Sequence, residues 1–331
     1  MDKQDFTYPS NALHERMMTA LKAVYPGFVS WRMIVSGPPG SGKSTVEASF
    51  PVPDGKNRYF ADAEDSMAYL DGGKDCADWY APRKQRFHMV RVRMPDLGDY
   101  AKMYSLIVKD AGQKLGVFGI DNIAIMQDTI VQYLIANAGT PAQIHETWKY
   151  FGVAHTLPVN SMIEKWGKAP KPGPEFWSAA KAIPQAFLLT CIKYGVHFIG
   201  ATEEGNVWEN YGSPGAKVVG KKAKIWDVWS RYTDGVIFLK RDVNKAVPPD
   251  GFINVHNPKM RLQGLNAKWT MDWPHFIGEL EAAAKREAEE IPEDAKAPTT
   301  ILVEEPEGDA SLPRLEPVHP SDNGKEEPQP A

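Results

Sequence analysis

The chain has 331 residues, of which 43% are hydrophobic and 24% charged, and its 38 Lys and Arg against 42 Asp and Glu give a net charge of -4. This balance excludes a strongly basic DNA-coating protein and a strongly acidic solvating chain, and it allows a sizeable core. The charge is uneven, because residues 285–331 hold 13 acidic and 5 basic side chains, a net of -8, which leaves residues 1–284 at +4. Two distant cysteines, Cys76 and Cys191, exclude a disulfide scaffold and a Cys-rich zinc site.

The first ten residues, MDKQDFTYPS, contain no apolar segment of the secretory type. The chain also lacks any run of about 18 apolar residues. We therefore expect no signal peptide, no membrane span and a cytoplasmic location.

Predicted elements follow one another in a regular order. Residues 1–29 hold a helical extension, Ala12–Val24, that ends at Pro26-Gly27, and a last short helix covers Phe276 to about Glu290. Between them, the predicted strands are Trp31–Ser36, Arg58–Ala61, His88–Val92, Gly116–Ile120, Val196–Ala201, Gly235–Lys240 and Gly251–His256. The helices that alternate with them include Gly42–Phe50, Tyr100–Ala111 and Phe176–Tyr194. This alternation predicts one α/β domain over residues 30–284, with a mostly parallel central sheet and helices on both faces.

Three segments break the pattern. Residues 158–175 and 203–225 are rich in Gly, Pro and Lys, and we predict long loops there. Residues 285–331 form an acidic tail, and its part from 291 onwards contains eight prolines and almost no aromatic residues. That composition cannot bury enough apolar surface to offset the ordering entropy, so we predict disorder.

A glycine-rich segment directly follows the first predicted strand. It reads Gly37, Pro38, Pro39, Gly40, Ser41, Gly42, Lys43, Ser44 and fits the pattern G-x-x-x-x-G-K-[ST]. Such glycines let the backbone wrap a phosphate, and the helix that follows adds a favourable dipole. In this P-loop pattern Lys43 reaches the β- and γ-phosphates and Ser44 ligates Mg²⁺. The sequence therefore predicts a site for ATP and Mg²⁺, with nucleotide contacts from Gly37 to Thr45.

Carboxylates end two other predicted strands, at the sheet edge where ligands bind in α/β proteins. Asp121 closes one apolar run and is the candidate that holds the Mg²⁺ shell. Asp62, Glu64 and Asp65 follow another run. On charge alone, any of these three side chains can orient or activate the water that attacks the nucleotide.

These motifs together resemble RecA-type recombinases over roughly residues 30–275. Asp62-Ala63-Glu64 is similar to the D-A-E of that family, which implies that Glu64 activates the attacking water. Asp121 then matches the Walker B aspartate, although Asn122 stands where the family usually has Ser. The strand from His197 resembles the strand whose polar end senses the γ-phosphate, a role that would fall to Thr202. The likeness is greatest to the short phage-encoded RecA-like proteins of the Sak single-strand-annealing group.

The resemblance also implies a site for single-stranded DNA. Residues 203–225 occupy the place of the family's second DNA-binding loop, and residues 122–195 form an insertion where the first would lie. The expected DNA-contacting lysines are Lys217, Lys221, Lys222 and Lys224, flanked by Trp208, Tyr211 and Trp226. Cations for phosphates and aromatic faces for bases suit single-stranded DNA. The alternative is a solvated lysine-rich loop with Trp226 and Trp229 in the core.

Asn257–Arg261 resembles the K-x-[KR] pair that reaches the neighbouring subunit's ATP in RecA-like filaments. The resemblance therefore implies a homo-oligomer, a ring or filament, in which Lys259 and Arg261 act in trans. The acidic tail resembles those of recombinases and single-strand-binding proteins, and such a tail can compete electrostatically with DNA for a basic groove. A single-strand-binding protein is a further expected partner. A purely solubilising tail is the alternative.

We therefore interpret the sequence as a Mg²⁺-dependent, DNA-dependent ATPase that acts in phage recombination or replication, by annealing or strand exchange. A nucleotide or small-molecule kinase is a second hypothesis, although residues 158–175 lack the Arg of a typical lid. A helicase or packaging motor and a non-catalytic nucleotide switch also stay open. A pure switch would not need a carboxylate such as Glu64.

Overall fold

The computed structural model describes residues 10–68, 70, 89–137, 140–153, 174–209, 217–240, 250–255, 269–270 and 272–290. The predicted tail over 291–331 and most of the predicted loop over 158–175 lie outside these residues. Within the described part of the chain, no helix is both long and apolar enough to cross a membrane.

An eight-stranded sheet forms the centre of the fold. Its strands are β1 (Arg32–Ser36), β2 (Asn57–Asp62), β3 (Met89–Arg93), β4 (Leu115–Asp121), β5 (His197–Thr202), β8 (Gly235–Lys240), β9 (Asp250–Val255) and β10 (Trp269–Thr270). They lie side by side in the order β10-β9-β8-β1-β5-β4-β2-β3. All pairs from β8 to β3 are parallel, and β9 and β10 add an antiparallel edge. Each of the seven predicted strands is present.

Helices cover both faces of this sheet. They are α1 (Ser10–Val24), α2 (Lys43–Ala48), α3 (Leu97–Asp110), α4 (Ile123–Ala136), α5 (Pro141–Lys149), α6 (Pro174–Tyr194), α7 (Asp227–Tyr232) and α8 (Trp273–Glu290). One apolar cluster joins α3 to α7 with the sheet, and a second joins α1, α2 and α8 with the opposite face. Successive side chains of β1 point to opposite faces of the sheet. Ile34 therefore belongs to the first cluster, and Met33 and Val35 belong to the second. The predicted α/β fold class is confirmed.

The segment over 203–225 differs from the loop predicted for it. It contains strands β6 (Glu204–Glu209) and β7 (Lys217–Ala223), which pair antiparallel as a separate two-stranded sheet. The Gly- and Lys-rich composition suggested a loop, whereas Val218 and Val219 favour an extended strand. Pairing between the two halves satisfies the backbone groups that a loop would leave to water.

Two histidines connect α1 to the start of β5, at the end of the sheet opposite the P-loop. The Trp31 backbone N–H donates to Nδ1 of His197 at 2.9 Å, so that nitrogen carries no proton. Neutral His197 is therefore protonated at Nε2, which lies 3.1 Å from Nε2 of His14 and donates to it. Burial lowers the pKa of His197 to about 3, with a smaller effect from His14. Burial also lowers the pKa of His14, whereas Glu15 raises it and Lys22 lowers it slightly.

This pair predicts a loss of stability in mild acid. A histidine whose folded-state pKa lies below the unfolded value near 6.5 stabilises the fold fully above that pH and less as the pH falls. For His197 the expected loss between pH 8 and pH 5 is about 2 kcal/mol. Urea unfolding measures the free energy of unfolding at both pH values. In His197→Asn, which keeps an acceptor for the Trp31 N–H, the difference in this free energy between pH 8 and pH 5 should be smaller by about 2 kcal/mol. An unchanged difference in the variant would contradict the assignment.

Candidate nucleotide-binding site

The P-loop lies between β1 and α2, at the carboxyl edge of the parallel strands. Gly42 has φ +93° and Gly40 φ +73°, backbone conformations that glycine adopts without strain. A Cβ on Gly37 would lie 2.6 Å from Ser41 Oγ and 3.1 Å from the Leu239 carbonyl oxygen. Lys43 Nζ donates to the carbonyl oxygens of Gly37 at 3.0 Å and Pro38 at 3.2 Å. The predicted glycines therefore shape the turn, and the lysine lies across it.

Ser44 and Asp121 meet although 77 residues separate them in the chain. The Ser44 hydroxyl donates to Asp121 Oδ2 at 2.6 Å, and Asp121 is only 2% exposed. Burial raises the pKa of Asp121 above its ordinary value, and the hydrogen bonds from Ser44 and Ser66 oppose that shift. Asn122 follows Asp121 and caps α4, because its side-chain oxygen accepts from the Ala124 N–H at 2.9 Å. The two predicted Mg²⁺-binding side chains thus lie together, and a cation would offset the cost of burying this carboxylate.

The three acidic residues after β2 have different surroundings. Asp62 is buried, and its carboxylate accepts from the backbone N–H groups of Ser66 at 3.0 Å and Met67 at 3.1 Å. Arg91 of β3 makes an ion pair with Asp65, which has φ +59°, and lies 3.5 Å from Asp62. Glu64 is exposed and makes no hydrogen bond or ion pair with the described residues. Asp62 and Asp65 therefore hold the turn, and Glu64 is the one carboxylate of the three that no described residue binds.

A further carboxylate lies beneath the P-loop. Glu47 of α2 is fully buried, and neither of its oxygens has a hydrogen-bond partner of normal geometry among the described residues. Burial raises its pKa well above the ordinary value, and the nearby charge of Asp121 adds to this, whereas the Ala201 backbone opposes it. Burial without a hydrogen-bond partner of normal geometry among the described residues therefore disfavours the charged form of Glu47.

The predicted sensor residue lies beside the P-loop, since Ser36 of β1 pairs with Thr202 of β5. The Thr202 hydroxyl donates to the Lys224 carbonyl oxygen at 2.9 Å, and the Ser36 hydroxyl donates to the Glu203 carbonyl oxygen at 3.3 Å. Both contacts lie at the base of the β6–β7 hairpin. The hairpin is therefore attached directly to the edge of the sheet that carries the P-loop.

Gln127 of α4 attaches the hairpin base from the other side. Its Oε1 accepts from the Trp226 backbone N–H at 2.7 Å and from Trp229 Nε1 at 3.1 Å. Its Nε2 lies 3.5 Å from the Lys224 carbonyl oxygen, at the limit of a hydrogen bond. Since α4 begins two residues after Asp121, one helix connects the predicted Mg²⁺ ligand to the hairpin.

Three of the predicted DNA-contacting lysines are exposed on or next to the hairpin: Lys217, Lys222 and Lys224. The pairing shifts by one residue between Val207 and Trp208, which places Lys217 and Lys222 on the same face. Lys224 makes an exposed ion pair with Glu203 at 3.4 Å. The fourth lysine, Lys221, lies in β7 opposite Asn206.

The aromatic residues considered with these lysines separate into two groups. Trp229 is fully buried and stacks on Phe198, as the alternative interpretation proposed. Trp226 is partly buried, with its ring 5.8 Å from that of Trp177. Tyr211 and the predicted trans pair, Lys259 and Arg261, lie outside the described residues.

Sequence reasoning missed four residues at this site: Ser66, Arg91, Gln127 and the buried Glu47. The first three contact residues on other strands or helices, so no local motif marks them. The signal that was present for Ser66 is its position two residues after Glu64, in a turn at the ligand-binding edge.

The residues present fit a nucleotide phosphate and its cation. The Ser41 hydroxyl is buried in the P-loop without a hydrogen-bond partner among the described residues. The described residues contain no group of three or more His, Cys, Asp and Glu side chains arranged to hold a metal ion. Mg²⁺ ordinarily uses one or two carboxylates together with substrate phosphates and water, and Ser44 with Asp121 offers that donor set.

Comparisons with known proteins give a distant likeness. No family model matches the chain, and no curated protein matches it. The solved structures that match include one described as "Crystal structure of the RadB recombinase", at 13% identity and a TM-score of 0.42, which covers 77% of this chain and 94% of that chain. The fold class itself is given by the strand order and by the helices on both faces of the sheet.

Proposed function

We propose that the protein is a Mg²⁺-dependent ATPase of RecA type that binds single-stranded DNA. The observation that carries the proposal is the contact of the P-loop Ser44 with Asp121, beside the exposed carboxylate of Glu64, which no described residue binds. Phosphoryl transfer to water needs a phosphate cradle, a cation site and a group that orients water. The same sheet edge brings together candidates for all three.

Each side chain has a chemical role in this proposal. The P-loop backbone and Lys43 bind the phosphates, and Ser44 and Asp121 hold Mg²⁺, which neutralises charge on the phosphates when bound. Glu64 accepts the proton of the attacking water. Thr202, which ends β5 beside the P-loop strand, is the residue that would sense the γ-phosphate of a bound nucleotide.

The hairpin supports the DNA-binding part of the proposal. Its exposed lysines supply phosphate contacts, and its base is attached to the P-loop edge through Ser36 and Thr202 and to α4 through Gln127. A rigid attachment of this kind allows the binding of DNA and of nucleotide to bias the same element. The proposal extends to a role in phage recombination or replication and to a ring or filament in which Lys259 and Arg261 reach the neighbour's nucleotide.

A kinase is supported less well. A kinase of this kind usually carries an Arg-rich lid, and residues 158–175 contain no Arg. The non-catalytic switch is disfavoured because it makes no use of a water-activating carboxylate such as Glu64.

The test of DNA binding is a salt titration with a labelled single-stranded oligonucleotide and ATPγS, followed by fluorescence anisotropy. Each lost phosphate contact should flatten the dependence of log K on log salt by about 0.7, so Lys222→Ala/Lys224→Ala is expected to flatten it by about 1.4. A matched control is Lys102→Ala/Lys149→Ala, which removes two exposed helix lysines that pair with Asp99 and Glu146. Equal slopes for the hairpin variant and the control would contradict the assignment of the hairpin.

A further inference from the structure

Three oxygen atoms from separate parts of the chain converge at the cation side of the P-loop. Ser44 Oγ lies 2.6 Å from Asp121 Oδ2, and Ser66 Oγ lies 2.5 Å from the same carboxylate oxygen. The two hydroxyl oxygens lie 3.3 Å apart. Ser44 and Asp121 are the expected cation-binding pair of a P-loop site, whereas no motif marks Ser66.

The backbone fixes Ser66 in this position. Strands β2 and β4 pair with Asp62 opposite Asp121, and the Ala63 N–H donates to the Asp121 carbonyl oxygen at 2.5 Å. The turn that follows β2 is closed by the Asp62 carboxylate, which accepts from the Ser66 backbone N–H at 3.0 Å. Ser66 is therefore held by the same sheet that holds Asp121, and its hydroxyl is directed at the carboxylate.

The triangle formed by Ser44 Oγ, Ser66 Oγ and Asp121 Oδ2 has the dimensions of one face of the octahedron of oxygen ligands around Mg²⁺. Octahedral Mg²⁺ has oxygen ligands at about 2.0–2.1 Å, so neighbouring ligand oxygens lie about 2.9 Å apart. The three separations of 2.5, 2.6 and 3.3 Å bracket that value. Both hydroxyls donate to a single carboxylate oxygen, Asp121 Oδ2, and a cation satisfies that oxygen in place of the two protons.

We propose that the Ser66 hydroxyl is a third protein ligand of the cation that accompanies the nucleotide, on one face with Ser44 and Asp121. The inference rests on the proposed nucleotide-binding function. Residues 62–66, which form the turn after β2, then have two roles. They position Glu64 near the attacking water, and they place the Ser66 hydroxyl on the cation. Cation binding and the position of Glu64 are coupled through that turn.

The experiment measures ATPγS binding by calorimetry at stepped concentrations of free Mg²⁺, and again in EDTA. Ser66→Ala is expected to raise the Mg²⁺ concentration needed for half-maximal binding by about 10–100-fold, with no change of affinity in EDTA. Ser66→Thr, which keeps a hydroxyl, should retain most of the Mg²⁺ dependence. The matched control is Ser105→Ala, which removes a hydroxyl whose partner among the described residues is the Ala101 carbonyl oxygen of the same helix, α3.

A second variant separates a ligand from a group that only orients Asp121. Thiolate prefers soft cations. Ser66→Cys should therefore need a lower Cd²⁺ concentration than the wild type for half-maximal ATPγS binding, and a higher Mg²⁺ concentration. A wild-type Mg²⁺ midpoint in Ser66→Ala, or no change of cation preference in Ser66→Cys, would overturn the proposal for Ser66. If the wild type does not bind ATPγS, or binds it without Mg²⁺ dependence, the proposed function itself fails.

Discussion

Replacing Lys43 by alanine is expected to lower ATP turnover by at least about 100-fold. The variant lacks the ammonium group that neutralises charge on the transferring phosphate. The fold should be retained, since the hydrogen bonds that Lys43 Nζ makes to described residues go to the carbonyl oxygens of Gly37 and Pro38 in its own loop. Phosphate release and circular dichroism together measure both effects.

The control for this variant is Lys102→Ala on α3. Lys102 is exposed and makes one surface ion pair with Asp99, which contributes little to stability. If Lys43→Ala has a native spectrum and turns over ATP near the wild-type rate, the P-loop is not the nucleotide-binding site.

Glu64→Gln is expected to slow hydrolysis by about 10²–10⁴-fold while ATPγS still binds, because the amide cannot accept the proton of water. Thermal stability should change little, since Glu64 makes no hydrogen bond or ion pair with the described residues. Single-turnover kinetics with a parallel binding measurement separate these two effects.

The two neighbouring carboxylates serve as controls with different expected outcomes. Asp62→Asn should lower stability, because Asp62 accepts from two backbone N–H groups in the turn. Asp65→Asn should weaken the pair with Arg91 and leave most of the activity. If Asp65→Asn lost the activity and Glu64→Gln kept it, the roles of the two carboxylates would have to be exchanged.

Much of the fold was predictable because its determinants are local. A parallel strand buried on both faces gives a continuous apolar run, as in β4, where every residue is buried. The P-loop is also local, because its glycines, lysine and serine are consecutive. These features place the phosphate site and the strand that carries Asp121 without any knowledge of the strand order.

Other parts of the site depend on the order of strands in space. The contact of Ser66 with Asp121 exists because β2 pairs with β4, and the sequence gives no sign of that adjacency. The hairpin at 204–223 was predicted as a loop because its glycines and lysines hide the pairing between its halves. Gln127 is one of several polar residues in α4, and only the packing of that helix against Trp226 reveals what it binds.

We propose that one edge of the sheet hydrolyses ATP with Mg²⁺ and is coupled to single-stranded DNA through the hairpin. Steady-state ATP turnover of the full chain, measured with and without Mg²⁺ and with and without a single-stranded oligonucleotide, tests it most directly. Turnover should require Mg²⁺ and increase when the oligonucleotide is added. Turnover that stays at the level of Lys43→Ala under every one of these conditions would contradict it.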